Sequence, residues 1–337
     1  MLVIKLSGFW IKELSDSIGC LVHLRLLNIS WTKIKELPKS ITKLYNLQTL
    51  RLEGCYDLEK LPGDLKKLVN LRHIYLDFNV YIQRPPKYMG QCTCLQTYKF
   101  FKVDKDPGHR IVELGRLNQL SGELNIYNIE NVRDEEEAKS ANLAERAKIN
   151  QLGFHWSYNS RREVNHRNEE EVLEGLHPHQ NLKSLTIDGF GGKKFPSWML
   201  TSDAMDASSP LGNLIEINLS DCGGVDSCSS NVSFTTLRRF TFRDMPKLVE
   251  RKDALEVTAT SVMFPCLEEL TIEQCPQLRS APYHFPSLQK LRISKISHTA
   301  LEMICSSLTK LTSVHIYGVP ELAFVPEQLF CTSLQSL

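Results

Sequence analysis

A chain of 337 residues is near the size at which a single globular core stops growing, a ceiling that does not apply to an array whose units pack only on their neighbours. Lysine and arginine number 40 against 39 aspartate and glutamate, which excludes a whole-molecule field for nucleic acid or an anionic membrane. The 10 cysteines are scattered, several at equivalent repeat positions, and fit reduced thiols in the cytosol better than a disulfide framework.

No apolar run approaches the length of a membrane span. The opening MLVIKLSGFW is expected to be a strand and not a signal peptide, because Ile4 and Leu6 precede Leu27 and Ile29 by 23 residues. Leu24 to Ile41, Leu47 to Leu68 and Leu71 to Asn79 then repeat one pattern at spacings of 23 and 24. In the clearest copy, LQTLRLEGC, Leu50 and Leu52 fall on one side of an extended segment and Thr49, Arg51 and Glu53 on the other, as a period of two requires. Cys55 follows at the bend, where a small Asn or Cys satisfies backbone groups leaving the strand. LEKLPGDLKKL covers the opposite wall, its proline limiting it to short helical or 3₁₀ turns. One such unit cannot bury enough apolar surface to offset its own ordering entropy, so units must stack. The expected fold is an α/β solenoid, a leucine-rich-repeat horseshoe with parallel strands on its concave face and irregular turns and short helices on its convex face.

The strand anchors pair as Ile4/Leu6, Leu27/Ile29, Leu50/Leu52, Ile74/Leu76, Tyr98/Phe100, Leu124/Ile126 and Phe154/Trp156. They continue as Leu185/Ile187, Ile217/Leu219, Phe240/Phe242, Leu270/Ile272, Leu291/Ile293 and Val314/Ile316, predicting about 13 parallel strands. Between them, KVDKDPGHR after Phe101 reads as a loop. DEEEAKSANLAERAK, Asp134 to Lys148, is expected to be a convex-wall helix, acidic at its start and basic at its end as the helix dipole favours. SYNSRREVNHRNEE reads as an exposed loop, and EEEVLEGL as a second short helix with Val172, Leu173 and Leu176 on one face. The later repeats vary from 21 to 32 residues, MLTSDAMDASSP is another surface loop, and Leu334 and Leu337 open a further repeat. Both ends are therefore expected to be cut from a longer solenoid.

The motifs exclude most chemistry. GFGGKK, Gly189 to Lys194, follows a strand but lacks the spacing and the Ser or Thr of a phosphate-binding loop. His177 and His179 have no third ligand nearby, Cys92 and Cys94 have no second Cys/His pair, and no GxSxG, HExxH or CxxC occurs. Neither a metal nor a cofactor is expected. Glu135 to Glu137 and Glu169 to Glu171 read as solvated helix starts. Asn28, Asn218 and Asn231 open glycosylation-like triplets, but Asn28 and Asn218 fall inside expected strands.

What remains is the concave strand face. By parity it carries Arg51 and Glu53, Tyr75 and Asp77, Lys99, Tyr127, and His155. Farther on it carries Arg239 and Arg243, Glu269 and Glu273, Arg292, and His315 and Tyr317. Thr49, His73, Phe101, Asn125, Asp188 and Lys290 share that parity. Tyr and Arg combine wide contact area with hydrogen bonding, so this mixture suits a protein partner.

Three stretches go beyond generic repeats: LGRLNQLSGELNIYNIENV (Leu114 to Val132), EEAKSANLAERAKINQLGFHW (Glu136 to Trp156) and VLEGLHPHQNLKSLTIDGFGGKKFPSWM (Val172 to Met199). In order and spacing they resemble the leucine-rich-repeat region of plant coiled-coil nucleotide-binding disease resistance proteins. In that family these repeats sense pathogen effectors or modified host proteins and hold the nucleotide-binding switch inactive. The resemblance implies a single leucine-rich-repeat domain over 1–337, with regular repeats over 1–101, family-specific repeats with inserted convex helices over 102–200 and irregular repeats over 201–337. It implies a non-enzymatic recognition and autoregulatory module in plant defence whose partner is a pathogen effector, a host target or a nucleotide-binding domain. Nucleic acid, small-molecule substrates and a membrane span have no place in that expectation. The implied location is cytoplasmic, with nucleus or peripheral membrane as the other compartments. The family's coiled coil, P-loop module and ARC segment are not in this sequence, so the chain is expected to be part of a longer product or to act by pairing with another chain. The alternative reading is a general intracellular leucine-rich-repeat scaffold or adaptor in signalling, built on its LPxxI-type turns. An extracellular receptor ectodomain fits less well, since paired capping cysteines and an LxGxIP pattern are missing.

Overall fold

A computed structural model describes residues 2–77, 85–157, 168–199, 211–225, 234–249, 264–279, 285–306 and 308–320. The expected turn residue Asn79, the triplet at Asn231, most of the loops expected around 158–167 and 200–210, and the anchors Leu334 and Leu337 lie outside these residues. The chain divides into two compact units, Met1–Asn150 and Gln151–Leu337.

In the first unit the strands are β1 (Leu2–Lys5), β2 (Leu24–Asn28), β3 (Thr49–Arg51), β4 (His73–Tyr75), β5 (Thr97–Tyr98), β6 (Phe100–Lys102) and β7 (Gly122–Tyr127). β1 to β5 form a parallel sheet in chain order, and β6 pairs in parallel with β7. β8 (Ile149–His155) lies mostly in the second unit, followed by β9 (Ser184–Asp188), β10 (Glu216–Ser220), β11 (Arg239–Arg243), β12 (Glu269–Glu273), β13 (Lys290–Ser294) and β14 (Ser313–Tyr317). These too are parallel neighbours in chain order. Leu27, Leu50, Ile74 and Tyr98 face one another in register, as do Leu185, Ile217, Phe240, Leu270, Leu291 and Val314. All are buried. This is a leucine-rich-repeat solenoid in which aliphatic ridges stack coil on coil.

Two registers differ from the expected pairs. Tyr98 faces Ile74 on one side, but Phe101, not Phe100, faces Ile126 on the other. Three residues separate the two inward anchors, Tyr98 and Phe101, where strict alternation allows two, so one strand becomes two and the parity flips. Phe101 is consequently buried and Phe100 turns outward, the reverse of the expected arrangement. On β8 the aligned anchors are Leu152 and Phe154, opposite Leu185 and Ile187, one notch earlier than Phe154/Trp156. A shift of two preserves parity, so His155 still faces outward.

Among the described residues, nine coils leave the sheet through a residue with positive φ. Trp31, Gly54, Asn128, Gly189, Asp221, Asp244, Gln274, Lys295 and Gly318 all occupy this place, with φ between 49° and 84°. The next side chain then turns inward. At Cys55, Cys222 and Cys275 it is a buried thiol, and Cys55 Sγ donates to the Ile29 carbonyl of the preceding coil at 3.1 Å. Before the strands, polar side chains hold successive coils together: Asn46 Nδ2 donates to Val22 O at 2.8 Å and Asn70 Nδ2 to Tyr45 O at 2.7 Å.

The opposite wall carries α1 (Val112–Gly115), α2 (Glu135–Lys139), α3 (Glu169–Gly175) and α4 (His298–Cys305). The helix expected over Asp134 to Lys148 is only α2 plus a 3₁₀ turn at Leu143–Glu145, because Asn142 adopts φ 55° and breaks it. Arg146, expected to serve the helix dipole, is instead buried, donating to the Leu114 and Gly115 carbonyls at the end of α1 and to Asn118 Oδ1. Burial lowers its pKa.

The acidic triplets are not simply solvated. Glu137 is buried and accepts from Arg110 Nε and NH2 at 2.5 and 2.6 Å, and from Arg133 N and Nε at 3.0 and 3.1 Å. Burial pushes this carboxyl up, but the bonds from Arg110 and Arg133 outweigh it and hold it below its ordinary value of 4.5. A depressed folded-state pKa means that the stabilisation is complete above the unfolded value and is lost as pH falls through the lowered folded value. Below about pH 4.5 the wild-type chain is expected to lose stability more steeply than Glu137→Gln, a difference read from acid melts of the two proteins.

Candidate recognition surface

The parity of the strands sends a second set of side chains to the open face, and none of the 14 expected contact residues is buried. In the first unit Arg51 donates to Glu53 through Nε at 2.8 Å and NH2 at 3.1 Å, with its guanidinium carbon 4.8 Å from the centroid of Tyr75. The Glu53 bond outweighs the cost of burial and raises the Arg51 pKa, so Arg51 is a fixed cation. His73 stacks on Tyr75 with centroids 6.0 Å apart and bonds Thr97 Oγ1 at 3.1 Å. Burial and then the Arg72 charge lower the His73 pKa from its ordinary value, which favours the neutral ring beside the tyrosine. Asp77 serves the fold as well, since its Oδ2 accepts from Gly54 N at 2.7 Å. Lys99 pairs with Glu123 at 2.9 Å, and Tyr127 lies 6.2 Å from Phe100 between centroids.

The second unit is more charged. His155 Nδ1 lies 3.4 Å from Asp188 Oδ2, with its side chain only 16% exposed. Arg239 pairs with Glu216 at 3.1 Å, Arg243 with Glu273 at 2.8 Å and Lys290 with Glu269 at 2.6 Å. Burial works against ionisation of Glu216, yet bonds from Arg239 and Asn218 bring its pKa below the ordinary range. Arg292, His315 and Tyr317 point outward from β13 and β14. Exposed pairs of this kind contribute little to stability, about 0–1 kcal/mol each; their effect is to decide which charges face a partner.

Sequence reasoning missed an aromatic rim in the first unit, in the segments that follow β1 to β3. Trp31 and Tyr56 meet edge to face with centroids 6.2 Å apart, both about half exposed, and Trp10 is 93% exposed. Trp31 occupies the positive-φ place that six other coils give to Gly, Asn or Asp. A bulky residue there is strained, and such strain gathers at functional sites. Gly54 keeps the room that the indole needs: besides its own φ of 73°, a Cβ on Gly54 would come 2.4 Å from the Trp31 ring. The signal was present, as a bulky tryptophan at a place that most coils give to Gly, Asn or Asp, but only the register reveals it.

Other chemistries find little footing. Burial raises the Cys92 and Cys275 thiols to about 11 and Cys305 to about 12, so these stay protonated at neutral pH. Among the described residues no group of three or more His, Cys, Asp or Glu is placed to hold a metal, and no helix is long and apolar enough to cross a membrane. The GFGGKK loop is held by carboxylates: Glu169 accepts from Gly191 N at 2.6 Å, Glu170 from Lys193 N at 2.7 Å, and Glu174 from Ser197 N at 2.7 Å. The Gly191 and Lys193 N–H groups are thus occupied by carboxylates of α3, an arrangement opposite to a phosphate cradle.

Fold and surface together define a leucine-rich-repeat chain with an inward aliphatic ladder and an outward polar and aromatic face. Residues 111–245 match the family described as R13L1/DRL21 leucine-rich repeats, the same stretch that carries the resemblance noted above, and the chain is similar throughout to plant disease resistance proteins. It is 34% identical to putative disease resistance protein RGA1 of Solanum bulbocastanum over 92% of this chain and 35% of that protein. It is 32% identical to RGA4 of the same plant, over 94% and 36%. Against putative disease resistance RPP13-like protein 1 of Arabidopsis thaliana the identity is 30% over 99% and 36%. The chain thus spans about a third of the length of the curated relatives it matches. Among solved structures, the crystal structure of PEPR1-AtPEP1 aligns with a TM-score of 0.45 at 16% identity, covering 99% of this chain and 44% of that one.

Proposed function

We propose that the open strand face and its aromatic rim form a non-catalytic protein-recognition surface in plant defence, which engages a pathogen effector or a guarded host protein and also restrains a nucleotide-binding switch. The relatives' names support the setting, and the repeat architecture supports a protein partner. The single observation that carries the reading is Trp31, half exposed and held at φ 62°, a left-handed conformation that costs a bulky aromatic residue more than Gly, Asn or Asp. Tryptophan, tyrosine and arginine are the residues that most often dominate interface energetics, and Trp31, Tyr56, Tyr75 and Arg51 are all on these strands or the segments that follow them. On this reading the chain works in the cytoplasm, the compartment where its thiols stay reduced.

The test is a double variant, Trp31→Ala/Tyr75→Ala, expressed with a tag in leaf tissue with and without pathogen challenge. Its melting temperature is expected to stay close to wild type, since both side chains are partly exposed, while co-precipitation of challenge-dependent partners falls at least tenfold. Undiminished capture by the folded variant contradicts the reading, and so does nucleotide turnover by the purified wild-type chain.

A further inference from the structure

The charges on the second unit's open face are arranged in rungs. Glu216, Arg239, Glu269 and Lys290 lie side by side across β10 to β13 and alternate in sign, and Arg243 sits beside Glu273. Each of these cations has its carboxylate within 3.1 Å. The middle rung runs Asn218, Thr241, Thr271, Arg292 and His315, with no acid in it. Arg292 is exposed and, among the described residues, its side chain has neither an ion pair nor a hydrogen bond; only its backbone joins the ladder. Tyr317, 73% exposed, stands two residues along β14 from His315.

We infer that Arg292 is the receiving point for a carboxylate of an acidic segment in a protein partner, with the Thr271 and Tyr317 hydroxyls alongside; this rests on the proposed recognition role of the strand face and names the partner chemistry for one part of it. The other cations show what the position lacks: on this face a cation is matched by an in-register glutamate, and at Arg292 that place falls to the partner. A guanidinium presents a planar fork that fits a carboxylate through two hydrogen bonds, and an unneutralised cation flanked by neutralised pairs selects an acidic side chain by charge complementarity.

The experiment uses the full chain and a fluorescein-labelled decaglutamate peptide, with binding read by fluorescence anisotropy at low salt. Wild type is expected to bind it, and Arg292→Gln to weaken binding about tenfold with an unchanged melting temperature. The double variant Asp64→Asn/Lys67→Gln removes an exposed ion pair at the 3₁₀ turn Leu65–Lys67, outside the strands, and is expected to change affinity less than twofold. Absence of wild-type binding, equal losses in the two variants, or Arg292-dependent binding to phosphatidylserine vesicles in place of the peptide would overturn the assignment. The Trp31 and Tyr75 variants are independent of this assay, so the wider recognition role is tested separately from its partner chemistry here.

Discussion

Glu137→Ala is expected to destabilise the chain by about 3 kcal/mol, as for breaking a buried charge pair. The carboxylate belongs to the first turn of α2, with its side chain 6% exposed, and four donors converge on it: two from Arg110, and the side chain and backbone of Arg133. Removing it leaves the Arg110 guanidinium, 25% exposed, without a counter-charge and leaves a backbone N–H without an acceptor. Both losses carry desolvation costs that water only partly relieves. Denaturant unfolding checks the value. A loss under about 0.5 kcal/mol, the range of an ordinary surface substitution, would mean that the cluster does not hold this wall.

The second large effect separates the two faces of one strand. Leu50 is fully buried between Leu27 and Ile74, so Leu50→Ala is expected to cost about 2–5 kcal/mol through lost burial and a residual cavity. Its neighbour Arg51 keeps 42% of its side chain in solvent, and Arg51→Ala is expected to stay within about 0.5 kcal/mol of wild type. Melts of the two variants provide the comparison. Similar losses from both would mean that adjacent residues share a face, which a stacked parallel ladder forbids.

Much of this was legible from period two alone. Leu50 and Leu52 against Arg51, or Ile217 and Leu219 against Asn218, announce their faces because a strand lining one side of a solenoid has no freedom to choose. The cysteines at the bends were legible for a similar reason, since Cys55 must meet a backbone acceptor wherever the coil turns. The slip at Tyr98 and Phe101 was hidden because two aromatic residues, Phe100 and Phe101, are equally suited to the core, and only the neighbouring strands decide between them. The break at Asn142 was hidden inside a run of good helix formers. Glu137, Glu169 and Glu170 look like ordinary acidic helix starts, and their partners Arg110, Gly191 and Lys193 lie 22 to 27 residues away, a separation that a local window does not reach. On the candidate surface, parity put the 14 side chains outward, but it carries no information on which are already paired. Arg239 and Arg292 are indistinguishable in the sequence and differ in the rung they occupy. Trp31 was missed because an exposed aromatic in a turn breaks no pattern until the positive φ of that place is known.

The proposed recognition role requires a partner that covers the open strand face and its rim while the aliphatic ladder holds the coils. Hydroxyl-radical footprinting of the captured complex against the chain alone tests this most directly. The predicted result is protection of Trp31, Tyr56 and Tyr75, with Tyr45 and Val69, both about half exposed outside the strands, oxidised as before. Protection confined to Tyr45 and Val69, with Trp31 and Tyr75 unchanged, would contradict it.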